Sequence, residues 1–467
     1  MKTAIDAFLH DLHESRFNMH SVLILHHGKL VAEAYQEPYD KDRKHRMFSV
    51  SKSFTALAAG LLIDEGKLSL TDKVVDFFPE YNTQTLHPWL KAATIYDMLT
   101  MQDPHDHTTH GHGIAANWLE SWFLTPPDHP AGTVFQYNTT STNLVAAIVE
   151  RITGMKMIDY MYPNLLTPLG FSDGCYCGET PDGDSFAGSA VMCTPRDLSK
   201  LVLLVMNDGN WNGHQLISKD FVQQMRSDLV DTNLMGIPVE GMFGYGYFTW
   251  HLRHGGFGFF GIQGQFGIGF PDKGLAIVAT GNTSDNYNVE NDILLSQFMD
   301  RVYRHLYPAA SCPATDDARQ LTLPHILPPG DATSPMAEQI TNHVYKLHPN
   351  KPGWQQVKFG FTQNNVGQIH YTNRRGNKII SFGLGHAIPL LFPDQPMRHP
   401  NFVEVPPDTY AGGAWVSERT LVINIYEVAV GFLQLQAVFD KNNVTILLKP
   451  QDGYRKDYGG YMYGEFL

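Results

Sequence analysis

The chain divides by sequence into an α/β domain with an antiparallel sheet and an inserted helical subdomain, followed by an all-β domain. Three observations carry that division. β-rich runs lie at both ends of residues 1–307 with helical patterns between them, a proline-dense stretch follows at 308–335, and short strand patterns between Asn- and Gly-rich turns fill residues 336–467. The assigned boundaries are therefore a domain over 1–307, a linker over 308–335 and an accessory domain over 336–467.

In chain order, Ile5, Phe8, Leu9 and Leu12 share one helical face, and Asp6, His10 and Asp11 interrupt the apolar run that an export signal requires. Residues 21–25 and 30–35 form a hairpin about His26-His27-Gly28-Lys29. An Ala- and Leu-rich helix spans Ser51 to Glu65 and is stopped by Gly66. Further helices are predicted at Thr94–Met101, Asn143–Thr153 and Pro195–Asn207. Strands return at Phe257–Phe270 and Leu275–Thr280 about the turn Pro271-Asp272-Lys273-Gly274. A helix through Ile293, Leu294, Phe298, Val302 and Leu306 closes the domain. Prolines at 308, 313, 324, 328, 329 and 335 mark the linker. Strands at 354–361, 368–371, 378–382, 420–426, 432–439 and 444–448 then give a sandwich or barrel.

Of 467 residues, 43% are hydrophobic, enough for a large core. A net charge of −13 disfavours nucleic acid, and the longest apolar run, Ala56–Ile63, is far too short to span a bilayer. A cytoplasmic chain without membrane or nucleic-acid partners is expected, with self-association left open. The cysteines at 175, 177, 193 and 312 are too few for a disulfide framework, and Cys175-x-Cys177 lacks the C-x2-C spacing of a common zinc site.

Ser49-Val50-Ser51-Lys52 lies where a loop enters the Ala/Leu-rich helix. There Lys52 falls one turn from Ser49 on the same face, and a desolvated amine can remove a proton that a hydroxyl holds too tightly to be nucleophilic. The helix N-terminus adds a positive field for an oxyanion. Alone, S-x-x-K recurs by chance. Tyr137, in the loop 130–139 before the next helix, supplies a phenol to the pair, and serves as a base only where an adjacent cation favours the phenolate.

These motifs, with GKLSLTDKVVDFFPEY (66–81), TIYDMLTM (94–101), AGTVFQYNTTSTNLVAAIVERITGM (131–155), PLGFSD (168–173), TPRDLSKLVLLVMNDGNWNGHQLIS (194–218) and GQFGIGFPDKGLAIV (264–278) in that order, make residues 20–306 resemble the β-lactamase-related serine hydrolases. That superfamily includes class C β-lactamases, penicillin-binding proteins, esterases and 6-aminohexanoate-oligomer hydrolases. The resemblance implies an acyl-enzyme on Ser49, proton transfer by Lys52 and Tyr137, and an oxyanion hole from the amides of Ser49 and Ile262. No cofactor or metal is implied.

Two departures bear on substrate. Many members carry Tyr-x-Asn, whereas Tyr137-Asn138-Thr139 leaves Asn138 to hold a substrate carbonyl. The third motif, Lys-Thr-Gly or His-x-Gly, aligns with Phe259-Phe260-Gly261, where the cation that receives a substrate carboxylate is replaced by an apolar wall. The expected substrate is a small neutral ester, amide or peptide, with weak or no β-lactam hydrolysis. Rival readings are a non-catalytic binding or regulatory protein of the same fold, and a zinc hydrolase built on Asp103, His105, Asp106, His107, His110 and His112. Gly256-x-Gly258-x-x-Gly261 matches a dinucleotide fingerprint by letter, but it leads into a strand and offers no helix N-terminus for phosphate. The aromatic residues of the C-terminal domain, Trp354 and Trp415 among them, are assigned to its core.

Overall fold

A computed structural model describes residues 2–37, 39–110, 117–232, 243–283, 287–306, 318–362, 364–393, 409–427, 431–440, 442–450 and 459–467. Two compact units meet in sequence between Leu323 and Pro324.

The first unit is built on an eight-stranded sheet. In chain order its strands are β1 (Met19–His26), β2 (Lys29–Tyr35), β3 (Gly244–Tyr245), β4 (Trp250–Leu252), β5 (Gly256–Gly261), β6 (Gln265–Phe270), β7 (Leu275–Gly281) and β8 (Arg319–Thr322). Across the sheet they run β8-β2-β1-β7-β6-β5-β4-β3, antiparallel except for β8 beside β2. The two ends of the domain meet at its centre, where Val22 faces Ala279 and the hydroxyls of Ser21 and Thr280 lie 2.7 Å apart. Every residue of β1 and β7 is buried, as expected of strands covered on both faces.

The covering helices are α1 (Lys2–Glu14), α2 (Ser51–Asp64), α3 (Thr139–Thr153), α4 (Pro195–Met206) and α5 (Tyr287–Phe298). Helix α4 lies on one face of the sheet, close enough that a Cβ on Gly267 would stand 2.9 Å from Val202. On the other face, Phe270 stacks on Phe298 of α5, whose ring meets Phe8 of α1 at 5.5 Å. Helices α2 and α3 form the core of the inserted helical part, with Leu57, Ala58, Leu144 and Ala147 fully buried.

The second unit is a barrel, which settles the choice between barrel and sandwich. Its strands are β9 (Val344–Leu347), β10 (Gln356–Phe361), β11 (Val366–Asn373), β12 (Gly376–Leu384), β13 (Ala387–Leu390), β14 (Thr409–Ser417), β15 (Thr420–Glu427), β16 (Gly431–Asp440), β17 (Asn443–Pro450) and β18 (Gly460–Phe466). Nine of them close a ring through the parallel pair β12–β14, and β13 lies outside it against β14. Buried and more exposed residues alternate along β10, β11 and β17, and Phe359, Phe382, Ile423, Leu435, Phe439 and Ile446 lie in the core.

Part of the stretch assigned to the linker is ordered differently. Residues 308–317 lie outside the described residues, while Arg319–Thr322 completes the first sheet as β8. There Gln320 donates to Glu33, a buried carboxylate that also accepts from Tyr35 and, bidentately, from Arg196 of α4. No helix among the described residues is long and apolar enough to cross a membrane.

Candidate active site

Ser49 sits in a single 3-10 turn, Phe48–Val50, that runs directly into α2. Phe48 holds the left-handed conformation, at φ 45°, immediately before it. An aromatic residue adopts that conformation only under constraint from its surroundings. Ser49 is half-buried, whereas Lys52 is only 1% exposed.

The expected one-turn spacing places the Lys52 amine 3.1 Å from Ser49 Oγ. The amine also donates to the Gly188 carbonyl at 2.7 Å and approaches Thr139 Oγ1 at 3.3 Å. Tyr137 comes from the segment before α3, with its ring centroid 5.0 Å from the amine and its phenol facing Ser49. Trp250 stacks on the Tyr137 ring and Tyr245 meets Trp250 edge-on at 4.8 Å, which fixes the phenol's position.

Burial decides the charges. It lowers the Lys52 amine to about 7. It raises the Tyr137 phenol to about 12, against a smaller opposing effect of Ser49. Low polarity penalises ammonium and phenolate alike, so near pH 7 the phenol is neutral and about half of the amine is in its neutral form. A phenolate sustained by a lysine cation is not the resting state, and Lys52 is the group positioned to accept a proton.

Asn138 is not a substrate contact. It is fully buried and caps α3, accepting from Thr140 N at 2.8 Å and donating to the His107 carbonyl at 2.9 Å. Helix α3 consequently starts at Thr139, four residues before the predicted Asn143, because a capping asparagine outweighs the low helix propensity of Thr139-Thr140-Ser141-Thr142. Phe259 is also core, 1% exposed, with its ring against Phe257 and beside Gly267. Phe260 points to the other face and packs edge-on against Phe266. The expected wall of two phenylalanines is thus absent, and the aromatic surface at Ser49 comes from Tyr137 and Trp250.

Gly261 does what its motif position requires: a Cβ there would lie 2.6 Å from the Met47 carbonyl, so only glycine lets β5 pass the turn that carries Ser49. Next to it, Gln265 donates to the Ile262 carbonyl at 2.9 Å and to the Gly281 carbonyl at 3.0 Å, which ties the turn after β5 to β7. Gly188, Thr139, Gln265 and Trp250 were not singled out in the sequence. Thr139 was within reach, since it occupies the third position of the tyrosine triplet.

Among the described residues the histidines of the 105–112 stretch turn to separate partners, and the one cluster with metal-ligand spacing joins His107 to Asp106 and Asp128. His105 is buried against Asp103 at 2.9 Å and the Thr125 carbonyl at 3.0 Å. His107 pairs with exposed Asp106, His110 stacks on Trp118, and His112 lies outside the described residues. Asp103 further accepts from Trp122 Nε1 and Ser141 Oγ, which ties the loop to α3. Asp103→Ala is expected to cost about 3 kcal/mol in denaturant unfolding, because four buried donors, the His105 amide and ring, Trp122 Nε1 and Ser141 Oγ, lose their acceptor. A change below about 1 kcal/mol would assign the stability of this loop elsewhere. Cys175 is a buried thiol raised by burial to about 12, and Cys312 lies outside the described residues.

The β-lactamase family profile matches residues 5–296, and the chain belongs to that family. A 6-aminohexanoate-dimer hydrolase of Paenarthrobacter ureafaciens is 27% identical over 275 residues, 52% of this chain and 67% of that protein. Among solved structures, EstCE1, a hydrolase with promiscuous acyltransferase activity, superimposes with a TM-score of 0.54 at 17% identity over 65% of this chain and 98% of that one. The octameric penicillin-binding protein homologue of Pyrococcus abyssi matches 99% of both chains with a TM-score of 0.51 and 16% identity. Both structural likenesses concern the fold.

Proposed function

We propose that the protein is a serine hydrolase that forms an acyl-enzyme on Ser49 and acts on small neutral esters, amides or peptides. The observation that carries this reading is a buried amine, 1% exposed, at 3.1 Å from the Ser49 hydroxyl. The neutral amine of Lys52 takes the Ser49 proton as Oγ attacks the substrate carbonyl. The amides of Ser49 and Ile262 receive the oxyanion. Tyr137, a neutral phenol beside the same oxygen, hands a proton to the leaving group and recovers one from Lys52. Water then attacks the acyl carbon, loses its proton to the same pair and releases the acid and free Ser49.

The preference for neutral substrates follows from β5, where Phe259-Phe260-Gly261 carries no cation for a substrate carboxylate. Turnover of short p-nitrophenyl esters is expected to exceed that of penicillin-type substrates by about 100-fold or more in kcat/KM, the scale of one lost charge-assisted contact in a dry site. Faster β-lactam turnover would overturn this preference. The family relation to a 6-aminohexanoate-dimer hydrolase supports including amides in the substrate panel.

A further inference from the structure

The acceptor of the Lys52 amine is itself held in a clamp. Gly188 lies in a loop that runs past the start of α2. Its carbonyl receives Lys52 at 2.7 Å, and its own N–H donates to Asn143 Oδ1 at 3.1 Å. Asn143 stands four residues after Thr139, on the same face of α3, so one helix face supplies both the hydroxyl beside the amine and the amide behind the loop. The next residue, Ser189, is gripped by Arg46. Nε donates to its carbonyl at 3.0 Å and Nη2 to its hydroxyl at 3.0 Å.

Arg46 also lies over the ring of Phe48, 4.3 Å from its centroid, so a single guanidinium touches both the acceptor loop and the strained residue before Ser49. Backbone bonds close the frame: Met47 N donates to the Val191 carbonyl at 2.9 Å, and Val191 N to Ser51 Oγ at 3.0 Å. A Cβ on Gly188 would meet Thr139 Cγ2 at 2.5 Å, so the loop has no room to shift toward α3.

We propose that Arg46 and Asn143 are positioning residues for the reaction, which act through the Ser189 and Gly188 peptides to fix the carbonyl that anchors Lys52 and thereby aim its amine at Ser49. This rests on the hydrolase reading above. A lysine side chain has four rotatable bonds, and its nitrogen meets the serine proton along one direction only while a second contact restrains it. Here the restraint is a backbone carbonyl, which adds no negative charge. The titratable groups that meet the amine are Ser49 from its own turn and Tyr137 from the segment before α3. Arg46 stands behind them, on Ser189.

The test compares Arg46→Gln, Arg46→Lys, Asn143→Ala and Ser189→Ala in the full chain, by kcat and KM for a p-nitrophenyl ester across pH. Arg46→Gln and Asn143→Ala are expected to lower kcat about 30- to 100-fold with KM within about threefold, the cost of a base displaced by roughly an ångström. The acid limb of the profile should move upward as water reaches the amine. Arg46→Lys should recover part of kcat. Ser189→Ala, which removes only the hydroxyl contact, should fall between it and the wild type, and it carries the test if Arg46→Gln does not fold. Folded variants with wild-type kcat and an unmoved acid limb would overturn the proposal while leaving the hydrolase reading intact. If the wild type neither hydrolyses esters nor labels at Ser49, that reading fails instead. The proposal is then judged by the pH dependence of unfolding with and without Lys52→Met: a window identical in wild-type and Arg46→Gln backgrounds overturns it.

Discussion

Ser49→Ala is expected to abolish ester hydrolysis, with kcat falling by about 10⁴-fold or more, and to abolish labelling by a fluorophosphonate. The nucleophile is the one group whose role no neighbour can assume. In the proposed reaction Lys52 and Tyr137 would move protons, which water can do slowly, but neither would accept an acyl group in place of the Ser49 oxygen. The substitution should leave the fold unchanged, since Ser49 is half-buried and its described side-chain partners, Lys52 and Tyr137, keep their other contacts. Mass spectrometry of the labelled wild type should place the adduct on the peptide containing Ser49. Retained turnover in a folded Ser49→Ala variant would remove the basis for acyl-enzyme chemistry here.

Lys52→Met should produce two large effects of opposite sign. Activity should fall by about 10³-fold, because the proton acceptor is lost. Stability near pH 7 should rise. Burial holds the amine at about 7 in the folded chain against 10.5 as its ordinary value. The unfolded chain therefore binds more protons at this site than the folded one between those limits, and wild-type stability climbs with pH across that window. Above about pH 10.5 the penalty is gone, and below about pH 7 it is complete. Methionine removes it and also loses the contacts to Gly188 and Thr139 at every pH, so the variant's stability relative to wild type should improve by about 3 kcal/mol from pH 10 to pH 7, from a deficit to an advantage. The same proton should give wild-type kcat/KM an acid limb near pH 7. A Lys52→Met variant with no pH-dependent gain would mean that the amine is solvated and charged.

Much of this arrangement was legible in the residues. The spacing of Ser49 and Lys52 specifies their contact because an α-helix repeats every 3.6 residues, and local geometry of that kind needs no tertiary information. The hairpin at 21–35 and the strand pair about the turn 271–274 were readable for the same reason, whereas the break at 262–264 that divides 256–270 into β5 and β6 was not. Tyr137 was reached by resemblance, since nothing local ties it to a residue 88 positions away. Asn138 was misplaced because capping and substrate binding call for the same side chain, and only the position of the Thr140 amide separates them. Phe259 was misplaced because alternation along a strand gives two faces without saying which one is covered. Gly188 left no trace, as its contribution is a carbonyl that every residue possesses. In the barrel, β14 and β18 were overlooked because Gly412, Gly413 and Gly464 dilute the strand pattern. Closure demands those glycines: a Cβ on Gly412 would meet Leu327 at 2.5 Å.

The central pairing of β1 with β7 also has a consequence for biosynthesis. Ser21 and its partner Thr280 are 259 positions apart, so at roughly 5–20 residues per second β1 leaves the ribosome some tens of seconds before its central neighbour is made. Over that interval the β1–β2 hairpin is an apolar ribbon with an open flank, the kind of edge on which nascent chains aggregate. A dependence of yield on chaperone supply is expected from this order of synthesis, and slow refolding from the long sequence separation of the pairing itself.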